Sequence, residues 1–221
     1  MGLDRRRCRP QVQWSRPRDN RDNNELAGTA TILTDRPRHV RRIVDHQSAD
    51  QEFGPVMTKK VAVVGDSLGG YAALAIAGGQ PVASPSDTGD GMFRRLQVIH
   101  DNRVAALVLL APATPWFLTD DSLRQVRIPI RMFTGERDEL SPVWNAEIVA
   151  TGVPDRAIVD HRVIPNAGHF SFVSPFPAAM TSPGFPPSQD PSGFDRRAFH
   201  VELNREVLGF LRRAFGVGSA P

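Results

Sequence analysis

Ser67, Asp138 and His169 are the residues of this chain whose types, order and surroundings could do covalent chemistry. Ser67 is the centre of Gly65-Asp-Ser-Leu-Gly69, which fits the pattern G-x-S-x-G. A serine hydroxyl is a weak nucleophile at neutral pH. It needs an adjacent base, and that base needs a carboxylate to orient it. Two later segments offer these partners: Gly135-Glu-Arg-Asp138-Glu-Leu-Ser-Pro and Pro165-Asn-Ala-Gly-His169-Phe. The chain order is then nucleophile, acid, base. Asp138 stands ahead of its rivals Glu136 and Glu139. His169 follows a strand end and a turn of small residues, whereas His39, His46, His100, His161 and His200 fall on helices, within strands or just before them.

Elements must bring these three together. Val61 to Val64 is an apolar run of the kind found in a buried parallel strand. Tyr71-Ala-Ala-Leu-Ala-Ile-Ala77 is a good helix former, closed by Gly78-Gly79. Strand, sharp turn and helix form the context of a nucleophile elbow, in which the serine is strained and its hydroxyl exposed at the C-terminal edge of a sheet. Gly65 and Gly69, lacking side chains, are expected to let strand and helix approach. The N–H of Leu68 is expected to face the developing oxyanion. Further strands are predicted over 104–111, 128–134 and 158–164, so Asp138 and His169 each follow a strand on the same sheet edge as Ser67. Strands alternating with helices imply a parallel sheet covered on both faces.

Helices are predicted over Pro37–Gln47, with Pro37 in the first turn, over Ser141–Thr151, with Ser141 as N-cap, and over Phe194–Phe215. Residues 80–91 read as a surface loop. Phe117, Phe170, Phe172 and Phe176 suggest an apolar substrate pocket, with Phe117 and Phe170 as its candidate contacts; packing in the core is the competing reading. Residues 1–26 read as an arginine-rich, poorly ordered arm with one short candidate strand at Gln11-Val-Gln-Trp14. Residues 27–216 read as the domain and 217–221 as a tail.

The 221 residues suffice for one domain with a substantial core. Hydrophobic content of 40% and charged content of 23% are ordinary for a globular protein. No apolar run approaches the length of a membrane span, no secretory signal opens the chain, and a cytoplasmic location is the default expectation. Cys8 is the single cysteine, so no internal disulfide forms. The net charge is +3. Acidic residues are interleaved with the N-terminal arginines, and no stacking pattern accompanies them, so no nucleic-acid partner is expected.

Gly65-Asp-Ser-Leu-Gly-Gly-Tyr-Ala-Ala-Leu, Thr134-Gly-Glu-Arg-Asp-Glu, Ala167-Gly-His-Phe-Ser-Phe, Gly193-Phe-Asp-Arg-Arg-Ala-Phe-His and Arg36-Pro37 carry a resemblance. With them the chain resembles the α/β-hydrolase superfamily. More narrowly, it is similar to bacterial predicted dienelactone hydrolases, relatives of platelet-activating-factor acetylhydrolases, over roughly residues 15–215. The resemblance implies Ser67 as nucleophile, Asp138 as acid and His169 as base. It implies hydrolysis of a small-molecule carboxylic ester with no cofactor and no metal.

Two departures stand out. Asp66 occupies a position where histidine is usual; its side chain is expected to point away from the reaction centre, with little effect. Only 66 residues precede Ser67, with one candidate strand and no His-Gly segment to supply a second oxyanion donor. The expectation is an α/β-hydrolase fold truncated at its N-terminus, or a start lying further upstream. With Leu68 N–H as the one donor, loss of the other would lower the rate about a hundred- to a thousandfold. Unpaired strand edges would favour self-association. The alternative function is a catalytically impaired relative that binds an ester-like or apolar ligand.

Overall fold

The computed structural model describes residues 28–52, 54 and 59–217. The arm over 1–26 with its candidate strand at 11–14, most of the loop at 53–56 and the tail beyond 217 lie outside the described residues.

Among the described residues the order begins with helix α1 (Ala30–Ala49), strand β1 (Val61–Asp66) and helix α2 (Leu68–Ile76). Next come a small antiparallel pair, β2 (Val82–Ala83) and β3 (Arg94–Arg95), with a one-turn helix α3 (Pro85–Thr88) between them. The segment read as a loop therefore carries structure of its own. Ser84 nucleates it as an N-cap, and Asp87 returns a bond to the Ser84 N–H at 2.7 Å. Strands β4 (Val104–Leu110) and β5 (Ile130–Gly135), helix α4 (Trp144–Gly152), strand β6 (Val159–Ile164) and helix α5 (Arg196–Ala214) complete the order.

The main sheet is parallel, ordered β1-β4-β5-β6. The apolar runs of β4 and β5 place them at the centre, where both faces are buried. Strands β1 and β6 form the edges among the described residues. They alternate toward solvent, and Val64 is 54% exposed. Side chains alternate across the sheet with period two. Leu107 and Leu109 join Leu74, Met132 and Val149 in the core beneath α1, α2 and α4. Ala106, Val108 and Leu110 join Phe133, Phe199, Leu203 and Phe210 in the core beneath α5. The expected α/β class, a parallel sheet with helices on both faces, is what the chain forms.

Two helix starts differ from expectation. Pro37 sits inside α1, which begins seven residues earlier because Thr29 caps it, its side chain accepting from Ile32 N–H. Helix α4 starts at Trp144, not Ser141. The Ser141 N–H is already engaged by the Asp138 carboxylate at 2.7 Å, and Pro142 and Val143 form the turn that leads in.

On the outer face of β5 and β6, Arg131 bonds Asp160 and Glu206, while Arg162 bonds Glu202 at 2.7 Å and also Glu206. This ion network ties α5 to the sheet. At the start of α5, buried Arg196 holds the Pro-rich segment: it donates to Asp190 at 2.5 Å, to the Pro187 carbonyl at 2.8 Å and to the Gln189 carbonyl at 2.7 Å. No helix among the described residues is long and apolar enough to cross a membrane.

Candidate active site

Ser67 lies between the end of β1 and the first residue of α2, with φ 52° and ψ −117°. Few residues other than glycine adopt such a backbone without surrounding structure that enforces it. That structure is visible. The Ser67 N–H donates to the Leu110 carbonyl at 2.9 Å, continuing the β1–β4 ladder. The Ser67 carbonyl accepts from Gly70 N–H at 2.9 Å, Tyr71 N–H at 3.3 Å and Ala113 N–H at 3.0 Å. Helix α2 grips the serine from one side and the loop after β4 from the other.

The close approach needed for this turn falls on Gly65 and Gly70, a correction to the expected pair. A Cβ on Gly65 would lie 2.2 Å from the Gly69 carbonyl oxygen, and one on Gly70 would lie 2.7 Å from Pro112 Cβ. A Cβ on Gly69 would meet nothing within 4 Å.

Asp138 and His169 arrive from the ends of β5 and β6. The loops that carry them are laced together: Glu136 N–H donates to the Ile164 carbonyl at 3.0 Å and Arg137 N–H to the Ala167 carbonyl at 2.9 Å. Asn166, with φ 59°, makes the turn toward His169, and its N–H donates to Glu136 Oε2 at 2.8 Å. Glu136 is thus spent on bracing the histidine loop, and Glu139 faces solvent. Asp138 is 4% exposed and accepts from Leu140 N–H at 2.9 Å and Ser141 N–H at 2.7 Å.

His169 joins the other two. Its Nδ1 lies 2.9 Å and 3.1 Å from the two Asp138 carboxylate oxygens, and its Nε2 lies 3.0 Å from Ser67 Oγ. With the proton on Nδ1, that nitrogen donates to Asp138, and Nε2 accepts from the Ser67 hydroxyl. The arrangement leaves a serine oxygen whose proton has a place to go.

The Leu68 N–H belongs to the first turn of α2, where backbone donors have no partner within the helix. No strand precedes β1 among the described residues, so no loop following such a strand stands beside that donor.

The two candidate contact residues part company. Phe170 is half-buried, its ring edge-on to that of His169 at 5.2 Å. Phe117 is 2% exposed and stacks on Tyr71 at 5.4 Å in the core beneath α2, so it does not line the site. Both Trp116 and Phe117, in the turn after β4, fold back against Tyr71 of α2.

Asp66 also differs from expectation. Its Oδ1 is shut off from solvent and has no hydrogen-bond partner among the described residues. Burial pushes its carboxyl up to about 7; the charge of His169 opposes that rise, and Asp138 adds to it. Its carboxyl thus feels both groups, so the expected lack of effect on the site does not hold. The alternation along β1 could have assigned its face, but not the burial that makes it matter.

Strand, positive-φ serine and helix, set in a parallel sheet with helices on both faces and with Asp138 and His169 past the ends of later strands, make an α/β-hydrolase fold. No family model matches the chain, and no curated protein does. Among solved structures it is similar to a predicted CIB-like hydrolase from Thermoplasma acidophilum, at 14% identity over 60% of this chain and 50% of that one, TM-score 0.39. It is similar to the serine hydrolase CarC of carbazole degradation, at 17% identity over 61% and 64%, TM-score 0.41. It is similar also to the esterase domain of a Rhodothermus marinus protein, at 18% identity over 59% and 57%, TM-score 0.39. The chain thus spans less than two thirds of the length of each of these structures.

Proposed function

We propose that the chain is a serine hydrolase that cleaves a carboxylic ester through Ser67, His169 and Asp138 by way of an acyl-enzyme. One observation carries this reading: His169 spans Ser67 Oγ at 3.0 Å and Asp138 at 2.9 Å, with the serine held in a positive-φ turn at a helix N-terminus.

In this scheme His169 Nε2 takes the Ser67 proton as Oγ attacks the ester carbonyl carbon. The carbonyl oxygen becomes an oxyanion, toward which the Leu68 N–H donates. Asp138 keeps the imidazole in the tautomer with the proton on Nδ1 and stabilises the imidazolium. On collapse, the bond to the alcohol oxygen breaks and Nε2–H protonates that oxygen. The acyl group stays on Ser67. Water then attacks the acyl carbon while His169 takes its proton; the carboxylic acid leaves, and Ser67 recovers its hydrogen. Phe170, beside His169, is the apolar contact for the substrate. The narrower resemblance to dienelactone hydrolases points to small carboxylic esters as the class to try first.

Turnover of short-chain nitrophenyl esters by the parent chain and by Ser67→Ala, with a thermal melt of both, tests the reading. The expected result is hydrolysis that Ser67→Ala abolishes without lowering the melt. Equal turnover by a folded Ser67→Ala protein would move the activity elsewhere.

A further inference from the structure

Asp66, the residue just before the nucleophile, is a half-buried titratable group, one carboxyl oxygen of which is closed off from solvent, that the acyl-transfer scheme leaves without a task. Along β1, Val61 and Val63 pack into the core beneath α2, while Ala62 packs into the core beneath α5. The two-residue period therefore turns Asp66 toward the α5 side of the sheet. Phe172, in the turn that His169 opens, packs into that same core. The charged groups acting on Asp66 are His169, from that turn, and Asp138, from the loop after β5. The neighbouring strand β4, Val-Ala-Ala-Leu-Val-Leu-Leu, brings none. A carboxyl oxygen closed off from water without a donor is costly to keep, and here it is kept one residue from Ser67.

We propose that Asp66 is a positioning residue that acts through His169: once ionised, its carboxylate stabilises the imidazolium that forms as Ser67 attacks. The proposal rests on the serine-hydrolase reading above. Its physical basis is that an anion near an imidazole favours the protonated ring. Asp138 does this in the ring plane through Nδ1. Asp66 adds a second negative charge from below the sheet edge, and burial decides when that charge exists. Burial holds the Asp66 proton on up to about pH 7, so the second charge develops over the range in which histidine itself ionises. The two protons are then shared by a coupled pair and leave in two macroscopic steps.

Two measurements on the full chain and on Asp66→Asn test this. The first follows the His169 ring by NMR across pH. Removing the Asp66 charge should lower the midpoint of the ring by about one pH unit. The second is the pH profile of kcat/KM for a nitrophenyl ester. The parent and Asp66→Asn should agree below about pH 6 and diverge above it, reaching about a tenfold deficit for the variant at pH 8 to 9. A purely structural role would lower the whole profile by one factor and leave the ring midpoint in place; that result overturns the proposal. Should Asp66→Asn fail to fold, the Asp66 carboxyl carbon can be followed in the unsubstituted protein. Two inflections, one shared with the His169 ring, support the coupling; a single step near pH 4 overturns it. A chain that hydrolyses no ester yet shows the ring shift would overturn the proposed function and leave the Asp66–His169 coupling standing.

Discussion

The Tyr71 hydroxyl donates to the Leu33 carbonyl at 2.8 Å, between two residues that are both fully buried. Pro37 explains the bond. In an α-helix the N–H of residue 37 would donate to the carbonyl of residue 33, and proline has no N–H. The second turn of α1 is thus completed by a side chain from α2, four residues after Ser67. Burial raises the Tyr71 phenol well above its usual range, with Asp87 adding to the rise, so the hydroxyl keeps its proton.

Tyr71→Phe should therefore cost about 1–3 kcal/mol, the penalty for a buried carbonyl left without a donor. In a Pro37→Ala background the helix supplies its own N–H, and the same substitution should cost less than about 1 kcal/mol. Urea unfolding of the four proteins measures both. Equal costs in the two backgrounds would break the link between Pro37 and Tyr71.

A second brace reaches Ser67 from the other side. Thr114 and Asn145 are buried and share three bonds: Thr114 N–H to Asn145 Oδ1 at 2.9 Å, and Thr114 Oγ1 with the Asn145 carbonyl at 2.9 Å and with Oδ1 at 3.0 Å. They pin the loop in which Ala113 N–H holds the Ser67 carbonyl. Asn145→Ala should lose about 1–3 kcal/mol of stability and lower kcat more than it changes KM. An unchanged melt and unchanged kcat would show that the loop holds itself.

Asp66 makes stability depend on pH in a defined direction. Its carboxyl is raised from 3.8 to about 7 on folding. Between those values the folded state binds the extra proton, so stability falls as pH rises, by roughly 1.4 kcal/mol for each pH unit crossed in full. Above about pH 7 the penalty is complete. Asp66→Asn should therefore be more stable than the parent at pH 8, and the difference should shrink toward pH 4. Melts at four or five pH values measure it. A difference that grows as pH falls would contradict the burial of Asp66.

The parallel sheet was legible because β1, β4 and β5 are apolar runs too long for chance and too short for helices. The strand-turn-helix around Ser67 was legible because Gly65 to Gly70 compresses its geometry into adjacent residues. What escaped depends on distant partners. Pro37 reads as a helix start until Tyr71, 34 positions later, is seen to serve Leu33. Ser141 reads as an N-cap until Asp138 takes its N–H. Phe117 and Phe170 look alike in sequence, yet one lies under α2 and the other beside His169. The charges that act on Asp66 come from Asp138 and His169, the latter a hundred residues after it.

An activated Ser67 reacts covalently with a phosphonylating agent. Treating the full chain with a fluorophosphonate and locating the adduct by peptide mass spectrometry measures it directly. A single adduct on Ser67 is expected, absent in Ser67→Ala and formed far more slowly in His169→Ala, because the hydroxyl needs the imidazole to take its proton. A folded chain that leaves Ser67 unlabelled, or one labelled equally fast without His169, would contradict it.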